Sequence, residues 1–415
     1  MAISVKDVIL TLSLMLGAGL LAQVIASYLR IPSMLVLLAA GTLLGPSVTG
    51  AIDVPLDSMG AELLLTLGVS MILFHGGLQL SARGLNRVAV GLLLLVIPGV
   101  VLTACITGVV AAGVFGVSIS MGLLIGAVLA PTDPAILIPL FERMNLRPKL
   151  SQTIIAESAL NDATGAVLAI TIAAAVVEGS ASFGGAAQEF IIDLAISTGV
   201  GVVFGILLAL AVSSRRPGIW RESAAIAVLA LLAGSYFSLD WAGGSGYLGA
   251  FIAGLILGNM NQLGLGMQTH HEAEMRTFVA TVAEVMVMFV FITLGANLPW
   301  SDVADELAPA LLVVTTLILV ARPIAVLACL LPDRRGRWSP EELVFISWTR
   351  ETGVMAAALA GIMVSLDVPD AELIVATVAF ALFATLVVQS TTKPWVARHL
   401  SLLEPEADAD EPDAR

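Results

Sequence analysis

The sequence predicts an all-α membrane protein of about 13 transmembrane helices, and three observations carry that reading. The 415 residues are 58% hydrophobic and only 12% charged, with a mean hydropathy of +0.99, whereas a soluble domain holds about 25% charged residues. The apolar runs are about 20 residues long, the length of a helix crossing hydrocarbon, rather than the roughly 10 of a barrel strand. Lysine and arginine gather in alternate loops, as expected of a polytopic chain with one fixed orientation.

The runs fall at 8–28, 32–48, 60–80, 88–114, 119–140, 151–177, 189–212, 222–239, 245–258, 277–298, 307–331, 341–365 and 370–392. The first follows only one lysine, Lys6, and has no small-residue cleavage site after it, so it reads as a retained span rather than a signal peptide. One set of alternate loops holds fifteen basic residues: Arg30, Arg83, Arg87, Arg143, Arg147, Lys149, Arg215, Arg216, Arg221, Arg276, Arg334, Arg335, Arg337, Lys393 and Arg398. The other set holds only Lys6 and is otherwise acidic or neutral, with Asp53, Asp57, Glu178, Asp240, Asp302, Asp305, Asp367 and Asp370. The positive-inside rule then puts the N-terminus outside and the C-terminus in the cytoplasm. Cys105 and Cys329 both lie inside apolar runs and read as small core hydrophobes, with no disulfide framework implied.

With span seven as a linker, spans one to six and eight to thirteen run in opposite senses, the inverted-repeat plan of secondary transporters. That plan predicts an interrupted span at matching places in the two halves. Span five is broken by Pro131-Thr132-Asp133-Pro134, and its mate, span twelve, carries Trp348-Thr349-Arg350-Glu351-Thr352-Gly353. Residues 1–402 therefore form a transmembrane domain of two six-helix repeats with broken, crossing helices. Residues 403–415 form an acidic, disordered cytoplasmic tail. A soluble regulatory domain is not expected. The net charge of −13 carries no argument about nucleic acid, and the expected partner is the lipid bilayer.

Five ionisable residues fall near the midplane: Asp133, Glu157, Asp162, Arg322 and Arg350. Unpaired carboxylates at that depth cost roughly 2.5–3.5 kcal/mol each, so three would cost on the order of 8–10 kcal/mol. Glu157 and Asn161 are four apart and share a helix face, while Asp162 points about 100° away. Glu157 can thus meet a protein partner while Asp162 faces a cavity. If both arginines are paired, three carboxylates against two guanidiniums leave one carboxylate, which is neutralised by one monovalent cation or one proton but not both. Arginine is permanently charged and serves as a structural or switching partner. Glu351 either adds a sixth charge or sits beside Arg350 as a local neutraliser. Broken helices free backbone carbonyls for a hard cation and leave half-helix ends that need charges of opposite sign, which Asp133 and Arg350 can supply.

Plainer readings exist for several of these groups. Single polar residues in spans commonly glue helices together, and Glu157 with Arg322 can simply lock the bundle. His75, in Phe74-His75-Gly76-Gly77, is either a packed histidine or a pH-sensing or site-lining group. Glu284 lies about two turns inside span ten, within reach of Arg276 or interfacial water.

At Glu157-Ser158-Ala159-Leu160-Asn161-Asp162 the chain resembles the NhaP-type branch of the monovalent cation/proton antiporters, which are related to animal sodium/proton exchangers. Ala130-Pro131-Thr132-Asp133-Pro134, Leu257-Gly258-Asn259, Ala321-Arg322-Pro323 and the Trp348–Gly353 segment agree, so the resemblance covers all thirteen spans. It implies an NhaA-like antiporter fold and a homodimer in which a core domain slides against a dimerisation domain. It implies that Asp162 binds the cation or the proton, with Thr132 and Ser158 as further sodium ligands. It also implies that Asp133 supports the crossing and Glu157 pairs with Arg322. Members with Asn-Asp, as Asn161-Asp162, are similar to electroneutral exchangers, and those with Asp-Asp to electrogenic ones. Two departures bear on cation choice and pH response: relatives often carry an acidic residue where His75 stands, and commonly Arg-Gly where Thr352-Gly353 stands, so that Arg350 is a displaced version of their arginine.

The expected function is exchange of sodium, with lithium as a further substrate, for protons across a bacterial-type inner membrane, in the service of pH homeostasis. No enzymatic activity and no cofactor beyond the transported ions is expected. A potassium/proton antiporter on the same scaffold is the alternative, since no residue separates the two ions. A sodium-coupled solute symporter is more distant, because it needs a pocket with aromatic or further polar groups. A channel would need a continuous polar lining, whereas spans five and six are polar only in the middle.

Overall fold

The computed structural model describes residues 5–29, 31–81, 88–133, 137, 140–141, 144–179, 183–215, 217–298 and 307–404. Arg30, Arg83, Arg87, Pro134, Arg143, Arg216, Asp302, Asp305 and residues 405–415, all of which entered the sequence reading, lie outside them.

The described residues form helices and no strand, with one isolated antiparallel bridge between Leu146 and Leu403. The first six helices are α1 (Val5–Leu29), α2 (Ser33–Leu44), α3 (Met59–Gln79), α4 (Ala89–Phe115), α5 (Ile119–Leu129) and α6 (Pro148–Val177). Then come α7 (Phe183–Val212), α8 (Ala224–Ala242), α9 (Gly246–Gly258), α10 (Thr269–Ala296) and α11 (Leu307–Leu330). The last are α12 (Pro340–Trp348), α13 (Val354–Ser365) and α14 (Ala371–His399). Among the described residues nine helices are long and apolar enough to cross a membrane, and α2, α5, α9 and α13 are shorter apolar helices.

Local chemistry sets several of these ends. Ser58 and Ser118 accept the Ala61 and Met121 N–H groups and so start α3 and α5. Ser339, Pro340 and Glu342 start α12 with a full capping box and a proline where no donor is needed. Three helices contain a wide π-turn: Leu95–Gly99 in α4, Leu317–Ala321 in α11 and Thr385–Gln389 in α14. The first includes Pro98 and the second immediately precedes Arg322-Pro323, where a ring that cannot donate disturbs the regular ladder.

The helices pack as two neighbourhoods. In one, α4 lies along α5, and α5 along α6, with α13 and α14 against them. In the other, α3 and α7 flank α9, and α10 packs on α2 and α3. Small residues make the close seams: a Cβ at Gly126 would fall on the Ala104 carbonyl oxygen of α4, and one at Gly254 on the Phe74 carbonyl oxygen of α3. The largest apolar core runs from α5 and α6 into α13 and α14. The outer helices instead turn leucine and isoleucine outward, as Leu20, Leu21 and Val24 of α1 do.

Candidate functional site

Two chain breaks meet beside α6. α5 ends at Leu129 and the chain runs on without helix through Asp133, while α12 stops at Trp348 and α13 begins at Val354. The Asp133 N–H donates to the Glu351 carbonyl at 3.1 Å, so the two segments cross in direct contact. The half-helix ends carry complementary charges. The Asp133 carboxylate accepts the Val354 N–H at 3.0 Å at the start of α13. Arg350 donates to the Leu129 and Ala130 carbonyls at the end of α5. Arg322 donates to the Ile346 and Thr349 carbonyls at the end of α12. Each cation meets a C-terminal set of carbonyls and the anion an N-terminal N–H, as dipole and hydrogen-bond accounting both require. Gly353 allows the approach, since a Cβ there would overlap the Asp133 carboxylate.

α6 carries the rest. Glu157 takes two hydrogen bonds from Arg322, at 2.6 and 2.7 Å, with both side chains buried. This is the bidentate geometry that favours arginine. Asn161 donates to Glu157 at 3.3 Å and to the Thr132 hydroxyl at 2.8 Å, and its carbonyl accepts the Thr132 N–H at 3.1 Å. The Thr132 and Ser158 hydroxyls are 2.6 Å apart. Asp162 is 7% exposed, and its Oδ1 has no hydrogen-bond partner. Asp133 and Glu157 are the carboxylates whose charges reach it.

The structure thus gathers Thr132, Asp133, Glu157, Ser158, Asn161, Asp162, Arg322, Arg350 and Glu351 at one centre. His75 is placed apart: it is half-buried on α3, hydrogen-bonded to Gln79 at 2.8 Å, and its charged neighbour is Arg276. Five details differ from the sequence reading. Cys105, read as a core hydrophobe, is exposed on α4. Lys393, counted among the loop cations, is fully buried on α14, because that helix continues past its apolar run to His399. Its ammonium is paired with Glu351, so Glu351 adds a further charge at the centre and its partner is Lys393 rather than Arg350. Glu284 accepts from Gln23 of α1, while Arg276 holds Glu272. Leu403 and Glu404, assigned to a disordered tail, are tied to the loop before α6 through the bridge to Leu146 and the bond from Glu404 N–H to the Asn145 carbonyl at 2.9 Å. Lys393 is the group that sequence reasoning missed, and its signal was a cation immediately after a long apolar run.

Interrupted helices that meet over buried carboxylates at the centre of an all-helical membrane protein are the architecture of a secondary transporter. Comparison with known proteins narrows the class. The profile of the family described as sodium/hydrogen exchanger, transmembrane, matches residues 11–399, and the chain belongs to that family of monovalent cation/proton antiporters. A relative named K(+)/H(+) antiporter NhaP2, from Shewanella baltica (strain OS223), is 30% identical over 405 residues, 95% of this chain and 67% of that one. The Na(+)/H(+) antiporter ApNhaP of Aphanothece halophytica is 26% identical over 408 residues, 96% of this chain and 75% of the relative. Among solved structures, the sodium proton antiporter MjNhaP1 of Methanocaldococcus jannaschii superposes with a TM-score of 0.83 at 25% identity, over 94% of this chain and 97% of that one.

Proposed function

We propose that this chain exchanges sodium, and with it lithium, for protons, one for one, with Asp162 as the site that cation and proton share. The observation that carries this is the state of Asp162: a buried carboxylate with an unpartnered oxygen, in a centre where Glu157 is paired with Arg322 and Glu351 with Lys393. The charge count supports it. Asp133, Glu157, Asp162 and Glu351 face Arg322, Arg350 and Lys393, four against three, and the surplus of one negative charge is balanced by one monovalent cation or one proton. Competition between the two substrates then follows from neutrality, and equal exchange moves no net charge. The Thr132 and Ser158 hydroxyls beside Asn161 supply neutral oxygens of the type a hard cation takes. Asp133 and Arg350 hold the crossing, and Glu157 with Arg322 fixes α6 to it.

The full proposal adds thirteen spans in two inverted six-helix repeats around a linker, with α2, α5, α9 and α13 counted as short or broken spans. It places the N-terminus outside and the C-terminus in the cytoplasm, in a homodimer whose core domain moves past a dimerisation domain in the inner membrane. His75 is assigned a pH-sensing role at the edge of that path. Potassium is the second reading for the cation, favoured by the 30% identity to relatives named as K(+)/H(+) antiporters. Purified protein in liposomes with a lumenal pH dye tests the proposal. Sodium, lithium or potassium is added outside, with and without a clamped membrane potential. Sodium- or lithium-driven proton movement that ignores voltage is the expected result. Movement with potassium alone moves the assignment to the second reading, and persistent exchange by Asp162→Asn overturns the site.

A further inference from the structure

The crossing has a backstop on α14 that the transport reading uses only in its count of charge. Four side chains on one stretch of α14 reach it. The Thr385 hydroxyl accepts the Thr352 N–H at 3.1 Å, and Gln389 donates to the Trp348 carbonyl at 2.8 Å. The Thr392 hydroxyl accepts the Trp348 indole N–H at 3.0 Å, and Lys393 pairs with Glu351. The π-turn Thr385–Gln389 lies at the start of this stretch. The tie continues inward, because the Glu351 carbonyl accepts the Asp133 N–H, and Thr132, one residue back, is bonded to Asn161 and Ser158 beside Asp162. Arg322, the partner of Glu157, is within electrostatic reach of Lys393.

We infer that Lys393 and Glu351 are positioning residues for the cation site: a buried pair that fixes the crossing to α14 and sets the charge against which Asp162 binds. A site that must present the same oxygens from both sides of the membrane needs its broken segments held to a continuous helix, and α14 is that helix. The inference rests on the assignment of Asp162 as the shared site.

Opposite signs separate a charge-setting role from a merely structural one. Glu351→Gln leaves an unmatched cation and raises the apparent KM for sodium. Lys393→Met leaves an unmatched anion and lowers it. Each shift is roughly threefold to tenfold, the scale of one uncompensated charge acting across about 12–25 Å at an effective dielectric near 20. The double variant restores the parent KM, as does the exchanged pair Glu351→Lys with Lys393→Glu. KM and Vmax are measured in liposomes at alkaline pH, where the proton no longer competes for Asp162 and so cannot cancel the shift, and binding of radioactive sodium is measured on the same purified proteins at that pH. Lys393→Arg, which keeps the charge, is the readout if Lys393→Met fails to fold, and it keeps the parent KM. Equal KM in all variants, or shifts of one sign only, overturns the inference while leaving Asp162 as the site. A parent protein that neither binds nor exchanges sodium, lithium or potassium overturns both. A parent that binds sodium without exchange, with opposite shifts in affinity, overturns the antiport reading alone.

Discussion

α1 and α6 have similar lengths and opposite surroundings. Along its apolar stretch α1 is 17% buried, against 61% for α6. α1 has the higher hydropathy, 2.2 against 1.7, yet it is α6 that lies inside. The order is the reverse of a soluble protein's, and the bilayer is the reason. Where the solvent is hydrocarbon, the perimeter carries the apolar side chains and the interior is where polar groups find partners. Glu157, Ser158, Asn161 and Asp162 are buried on α6, whereas α1 shows Leu20, Leu21 and Val24. Polarity within a span therefore marks the interior, and an unpartnered polar atom there marks work to be done.

Substitutions at the centre and the rim sharpen this contrast. The largest effect belongs to Asp162→Asn, which drops cation-driven proton movement to background while the protein melts with the parent; a large fall in melting temperature would show that Asp162 holds the fold instead. Next are Glu157→Gln and Arg322→Met. Each strands a buried charge and costs about 3–5 kcal/mol, read as a lower melting temperature in detergent, and parent-like melting in both would break the pairing. Gly353→Ala drives a methyl group into the Asp133 carboxylate and costs about 1–3 kcal/mol. Exchange falls with it, because the start of α13 loses its anchor. The smallest effect is Leu21→Ala on the rim of α1, within about 0.5 kcal/mol. A larger loss, accompanied by a change in oligomeric state, would show that a second copy covers this face.

Much of the centre was legible in the sequence because its groups betray themselves locally. Asp133 interrupts its apolar run beside a proline and Arg350 three residues before Gly353, and Glu157, Asn161 and Asp162 fall within six residues of a single helix. The helices were legible for the same reason, since length and hydropathy are properties of contiguous residues. What was hidden depends on pairing across the chain. Glu351 and Lys393 are 42 positions apart and neither carries a local mark of the other. Lys393 sits where apolar residues give way to Gln389, Ser390, Thr391 and Thr392, a composition that reads as a span end, although the helix continues to His399. Gln23 and Glu284 were hidden in the same way.

The docking of Leu403 and Glu404 has a practical meaning. Residue 404 is stitched to the loop 145–147 that opens α6, and Leu402 is sunk in the apolar cluster with Leu146 and Leu150. Whatever displacement α6 undergoes is inherited at that point without slack. A probe attached just beyond Glu404 is a pointer to α6, the helix on which the proposed cation site lies. Its distance to a second probe on the α1 rim gives a ruler for the transport stroke, readable in the membrane one molecule at a time.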